Sequence, residues 1–263
     1  MTDFAGMTQT SSSSPTAKIW RVVEGVVDSD EPVGPRGLGR KIHLDRSAVG
    51  RMLQHLADID VLHRSSDGYV PGPRLITLGR VLAARDTLPD EVEPILADLV
   101  ARFDETCYAC AFHGDVAVFT HEIQSSKPLR LVVELGRPVP LYAGAAGRAI
   151  LSALPEDHVR EILGTDPLPR LERGTLGTVD EVLEAARHDR ERGYSISYEE
   201  RVPGGAAVAA PFFGAAGTCQ GSLVYTSPVS RIETADVAEI GQAVAEAASA
   251  LSVRLGHEPE AQR

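Results

Sequence analysis

Three groups of residues in this 263-residue chain have the right types for site chemistry. The first is Cys107, Cys110 and His113 in "CYACAFH", which offers ligands suited to zinc. On an extended strand, however, Cys107 and Cys110 have opposite parity and face opposite sides. A zinc knuckle needs a turn between its cysteines, and "CYAC" holds neither glycine nor proline, so buried apolar cysteines are expected and no metal. Cys219 has no base near it in sequence. The second group, Glu199 and Glu200, could be a pair of acids for hydrolysis, but adjacent residues on extended chain diverge and do not converge on one substrate atom. No residue is assigned a catalytic role, and no cofactor is implied. The third is the loop "YAGAAGRAI", Tyr142 to Ile150. Its small residues admit backbone N–H groups to a ligand where a helix begins, an anion-receptive arrangement without the lysine and hydroxyl of a nucleotide loop. The same residues also suit a helix start that is packed closely for structural reasons.

A different chemistry is suggested by "LDRSAVGRMLQHL", Leu44 to Leu56. Leu44, Ala48, Val49, Met52, Leu53 and Leu56 form the apolar stripe of an amphipathic helix. Arg46, Ser47, Gly50, Arg51 and Gln54 fall on the other face. That face lacks the Glu and Lys of an ordinary solvated surface and offers side chains that reach phosphates or base edges. The formal net charge of −11 argues against nucleic acid until its distribution is read. Ala17 to Asp86 holds 11 Lys and Arg against 9 Asp and Glu, whereas the remainder from Thr87 holds 15 against 27. Arg36 to Arg51 alone holds five basic residues and one acid. Two modules with different partners are therefore expected.

The elements that position these residues follow from periodicity and punctuation. Residues 1–16, rich in Ser and Thr, are expected to be a disordered tail. A helix from about Ala17 to Asp28 follows, with Trp20 as a core anchor. A weak helix begins at Pro35, and a tight connection at His43 leads into the Leu44 to Leu56 helix. Val61 to Arg64 and Tyr69 to Val70 make a hairpin through Asp67-Gly68. Three helices followed by a hairpin form a winged helix-turn-helix over 17–72. Residues 73–87 form a linker helix with apolar surface to spare for a partner. Residues 88–256 alternate helices with strands at 106–113, 116–123, 129–135, 194–198, 206–213 and 220–226, an α+β sensor-like domain with a mainly antiparallel sheet. Residues 257–263 form a tail. With no membrane-length apolar run, no basic-then-apolar leader and an odd cysteine count, the chain is expected in the cytoplasm.

In this order of parts the sequence resembles the IclR family of bacterial transcriptional regulators over about Ala17 to Gly256. The resemblance rests on "LDRSAVGRML", "LHRSSDGYVPGPRLITLG", "GAAGRAIL", "RERGYSISYEERVPGGAAVAAPFF" and "TSPVSR". It implies a DNA-binding winged helix-turn-helix, a dimerising linker helix, and a GAF-like domain whose small effector tunes affinity for a double-stranded operator. The partners expected are that DNA, the effector and further copies of the chain, as a homodimer or homotetramer, with no membrane. On this alignment Arg46, Ser47, Gly50, Arg51 and Gln54 lie on the recognition helix. Arg36, Arg40 and Lys41 precede it, and Arg64 and Ser65 belong to the wing. The effector pocket carries over to Gly144, Ala145, Ala146, Gly147, Ser197, Gly205, Ala207, Ser222, Val224 and Thr226. Ala48 stands where the family commonly has threonine, and His43 replaces a turn glycine. Gly50 stands where a larger side chain is common. The small pocket residues lead us to expect a roomier, less polar pocket for an aromatic or bulky metabolite. The expected function is a ligand-responsive regulator, with repression favoured, and not an enzyme. The competing readings are an enzyme that uses Glu199 or Cys219 and a protein-interaction module that has lost DNA binding.

Overall fold

Ser14 opens the first helix of the computed structural model, which describes residues 14–29, 31–83, 89–233 and 235–258. Its hydroxyl accepts from the Ala17 N–H at 3.1 Å, and Pro15 occupies the first turn, where a missing N–H costs nothing. Helix α1 therefore spans Pro15–Val27, and residues 14–16, expected in the tail, are its start. Residues 1–13 lie outside the described residues.

The chain divides into two compact units, Met1–Thr87 and Leu88–Arg263. In the first, α1 is followed by α2 (Pro35–Lys41), α3 (Arg46–Asp58), an antiparallel pair β1 (Leu62–Arg64) and β2 (Tyr69–Pro71), and α4 (Pro73–Ala83). Val22, Val23, Val26, Leu38, Val49, Leu53, Leu56, Leu62 and Tyr69 make its core. Trp20 is not part of it: the expected anchor is 59% exposed. The inward stripe of α1 is Val22, Val23 and Val26, and Trp20 shares the opposite side with Val27, seven residues on. His43 takes the positive φ (52°) expected of the turn before α3. On α4, Ile76 and Leu78 are half-exposed, as the surplus apolar surface of that segment implied.

The second unit is a six-stranded antiparallel sheet between two layers of helix. Its elements are α5 (Pro89–Phe103), β3 (Cys107–His113), β4 (Val116–Ile123), β5 (Pro138–Pro140), α6 (Ala145–Ser152), α7 (Glu156–Leu163), α8 (Val179–Arg192), β6 (Ser195–Tyr198), β7 (Gly205–Phe213), β8 (Cys219–Pro228), α9 (Val229–Ile232) and α10 (Val237–Arg254). The strand order is β5-β4-β3-β8-β7-β6. Alternation splits neighbours between two cores: Val224 packs with α6 and α8, Leu223 and Tyr225 with α5 and α10. Cys110 and Cys107 are divided in the same way, one to each face.

The strand expected at Leu129 to Leu135 does not form. Its backbone is held by a side chain instead: the Tyr108 hydroxyl donates to the Leu131 carbonyl at 3.0 Å and accepts from the Val133 N–H at 3.1 Å. The sheet edge next to β4 goes to Pro138–Pro140. Alternating apolar residues thus mark a wall, with Leu131 and Val133 inward and Leu129 and Val132 exposed.

Candidate functional site

In the first unit the expected DNA-contacting cations are carried by three elements. Arg36, Arg40 and Lys41 on α2, Arg46 and Arg51 on α3 and Arg64 on β1 are all exposed, and none forms an ion pair with a described residue. The polar residues among them have local duties. Asp45 caps α3, accepting from the Ser47 and Ala48 N–H groups at 2.9 and 3.0 Å. The Ser47 hydroxyl donates to the same carboxylate at 2.6 Å. That bond, then the Ala48 amide, hold the Asp45 carboxyl below its ordinary pKa. Ser47 is left with lone pairs alone and can accept from a base amine, not donate to a phosphate. Gln54 donates to Asp58 at 2.8 Å, and Ser65 donates to the Gly68 carbonyl at 3.0 Å and shapes the wing turn.

Gly50 is half-buried and faces Pro35 of α2 rather than open solvent, which corrects the expectation that it lies on the outward face. A Cβ built there would lie 3.8 Å from the Pro35 Cβ, ordinary van der Waals contact. Alanine therefore fits. Gly50→Ala is expected to stabilise the unit by about 1 kcal/mol through helix propensity. A rise in Tm with DNA affinity kept within twofold is the expected result; a fall in Tm would show that α2 and α3 pack more tightly than this spacing indicates.

In the second unit eight of the ten expected pocket residues converge. Gly144, Ala145, Ala146, Ser197, Gly205, Ala207, Val224 and Thr226 line one cavity of about 50 Å³. Gly147 and Ser222 do not reach it. A Cβ on Gly147 would lie 2.4 Å from the Leu141 carbonyl oxygen, so this glycine lets α6 rest on the chain beneath it. The Ser222 hydroxyl, fully buried, donates to the Ala146 carbonyl at 2.9 Å and pins the same helix to β8. Both residues build the site without lining it.

The expectation of a roomy pocket is corrected, while its wall is mainly apolar, as expected. The strands supply small walls, but Phe119, Leu131, Val133, Glu200, Arg201 and Val202 complete the lining. The Arg201 guanidinium lies 5.1 Å from the centroid of the Phe119 ring, a cation–π contact between two of the lining residues. A cavity of roughly 150 Å³ is known to hold benzene. This one must widen before a ring can enter. The cavity's uncommitted polar groups are the Arg201 guanidinium, the Ser197 hydroxyl and the first-turn N–H groups of α6, whose ladder begins only at Arg148. Thr226 is engaged, donating to the Thr106 carbonyl at 3.0 Å.

Glu200 reaches the cavity already paired. Its Oε2 accepts from the Gly144 N–H at 2.8 Å and its Oε1 from Arg148 at 2.6 Å. Arg148 also donates to Asp189 at 2.9 Å and to the Ile196 carbonyl. Burial alone would lower the pKa of Arg148, but Glu200 and Asp189 outweigh it and hold the guanidinium above its ordinary value. Gly144, at φ 91°, turns the loop so that its amide meets Glu200. One of the loop amides expected to receive a ligand is thus spent within the protein. Glu199 points elsewhere and accepts from the Gly204 N–H at 2.8 Å, so the two acids diverge as expected. Arg201 and Phe119 were missed because nothing in their local sequence shows that a loop after β6 folds back over β4.

A second cleft, about 430 Å³ and lined by Asp189, Arg190, Phe213, Ser252 and His257 among others, is larger. Its Arg190 and Ser252 are occupied: Arg190 donates to the Ser152 and Leu154 carbonyls, and the Ser252 hydroxyl bridges Ala248 and Phe213, while the His257 ring lies against Phe213. The smaller cavity is the better candidate because a guanidinium, a hydroxyl and the first-turn N–H groups of a helix border it together and uncommitted.

Residues 82–253 match the family described as bacterial transcriptional regulator IclR C-terminal. The chain belongs to the IclR family. The regulator KipR of Bacillus subtilis (strain 168) is 29% identical over 171 residues, 65% of this chain and 68% of KipR. The repressor AllR of Salmonella typhi is 25% identical over 220 residues, 83% of this chain and 81% of AllR. Both are described as HTH-type. An IclR homologue from Microbacterium hydrocarbonoxydans, solved in complex with 4-hydroxybenzoate, shares the fold with a TM-score of 0.75 at 20% identity over 92% of this chain and 99% of that one. This IclR-family chain is accordingly a transcriptional regulator with an α+β effector-domain fold. Among its described residues no helix is long and apolar enough to cross a membrane.

Proposed function

We propose that this IclR-family protein is a cytoplasmic repressor in which α3 and the β1–β2 wing bind a double-stranded operator and the cavity beside the N-terminus of α6 takes a small organic effector. The observation that carries the reading is the set of exposed, unpaired cations on α2, α3 and β1 in a chain whose net charge is −11. Such a set is retained where phosphates supply the counter-charge. Repression and a compact aromatic effector are supported by what the relatives are called: AllR is a repressor, and the homologue of the same fold was crystallised with 4-hydroxybenzoate. A homodimer or homotetramer is supported by the half-exposed Ile76 and Leu78 of α4. The nucleophile alternative is weakened by Cys219, whose thiol burial pushes up to about 11, leaving it protonated at neutral pH.

The test is a gel shift on the DNA flanking the protein's own gene. A complex that weakens steeply from 50 to 200 mM salt supports the reading. A complex insensitive to salt, or none at any salt, overturns it.

A further inference from the structure

We propose that Arg201 is the specificity-determining counter-ion of the cavity, selecting a monocarboxylate with an apolar body. The inference rests on the effector reading of that cavity and adds the chemical class of the ligand.

Arg201 lies partly buried against Phe119 with no hydrogen bond and no ion pair to any described residue. The carboxylate next to it in sequence, Glu200, is fully committed to Arg148 and the Gly144 amide. The other ionisable groups that act on Arg201 are Cys110 and Tyr108, and burial pushes both up to about 12, so each is neutral. Nothing among the described residues balances this guanidinium, and burial draws its pKa down. A partly desolvated cation without a partner is costly, and a bidentate carboxylate is the group that matches its planar fork.

The surroundings narrow the ligand further. The Ser197 hydroxyl is free to donate to a carboxylate, and the first-turn amides of α6 at Ala145 and Ala146 border the same space. Phe119, Leu131, Val133, Val202 and Val224 make the remaining wall apolar. One cation serves one anion: a second carboxylate on the ligand would meet hydrocarbon and remain unpaired. Pairing with the ligand also draws the guanidinium off Phe119 and frees the ring face for the ligand's body.

The experiment compares pyruvate, benzoate and phenylacetate with their neutral amides and with succinate, by titration calorimetry on the full chain. At least one acid is expected to bind ten or more times tighter than its amide, with succinate weaker than that acid. In Arg201→Gln the acid-to-amide ratio should fall below threefold. Equal binding of acid and amide, a preference that survives in Arg201→Gln, or no binding by any of the acids overturns the proposal. A third variant separates this from failure of the effector reading. Ala207→Leu fills the cavity, with Ala207→Val as substitute should it fail to fold. A neutral probe whose binding is lost in Ala207→Leu would leave the cavity as the effector site and overturn only the role of Arg201. Binding indifferent to Ala207→Leu would place the ligand elsewhere and overturn both. Unliganded Tm values report that each variant keeps its fold.

Discussion

Replacing Arg148 with methionine is expected to destabilise the C-terminal unit by about 3–5 kcal/mol, the cost of leaving buried charge uncompensated. The side chain holds two carboxylates at once, Glu200 at 2.6 Å and Asp189 at 2.9 Å, and all three residues are buried. Methionine keeps the volume and removes both ion pairs. Asp189 retains the Ser195 hydroxyl at 2.5 Å and its bond to Arg192, but Glu200 would keep only the Gly144 amide. In a unit of this size the loss corresponds to a fall in Tm of about 10 °C. Urea denaturation of wild type and variant measures it directly. The double variant Arg148→Met/Glu200→Gln removes one of the orphaned charges and should recover part of the loss. A single variant within 1 kcal/mol of wild type would show that water reaches these carboxylates and that the network is not a buried one. The same substitution should loosen the Gly144 turn, so weakened ligand binding at the α6 cavity is expected alongside the loss of stability.

The second large effect is expected at the opposite end of the chain. Arg46→Ala with Arg51→Ala should weaken operator binding by about 100-fold or more, since each guanidinium contact to a base contributes about 1–3 kcal/mol and the proposed dimer would lose two from each half-site. Both side chains are exposed on α3 and neither is in an ion pair with a described residue, so Tm should not move. The salt dependence adds a second readout. If one of the pair contacts phosphate, the slope of log affinity against log salt falls by about one per contact removed. Unchanged affinity in the double variant would remove α3 from the groove. The Asp45 cap sharpens this expectation, because it engages the Ser47 hydroxyl and leaves the two arginines as the strong donors of the helix.

Sequence alone determined the elements wherever the instructions were local. The Thr178 hydroxyl and the Glu181 carboxylate close a capping box at the start of α8, and Gly193, at φ 84°, ends it; those signals lie within one helix and are legible there. The strand Val116–Ile123 alternates in burial, Cys107–His113 is a short apolar run buried on both faces, and the wing follows from Asp67-Gly68 between two extended runs. The convergence of Ser197, Ala207, Val224 and Thr226 came from family resemblance laid over that pattern.

Tertiary structure decided what depends on partners distant in the chain. Leu129 to Leu135 has a strand's pattern, yet a tyrosine hydroxyl from β3 takes its backbone groups and turns it into a cavity wall. Trp20 has a core residue's composition, yet the stripe that packs on α2 and α3 leaves it outside. Arg148 meets Asp189 and Glu200 across separations of 41 and 52 residues. Arg201 reaches Phe119 across the sheet with no periodic pattern to announce it. Helices, turns and hairpins are written in neighbours because their hydrogen bonds close over a few residues, whereas a buried charge acquires its meaning only from groups that the folded chain brings to it.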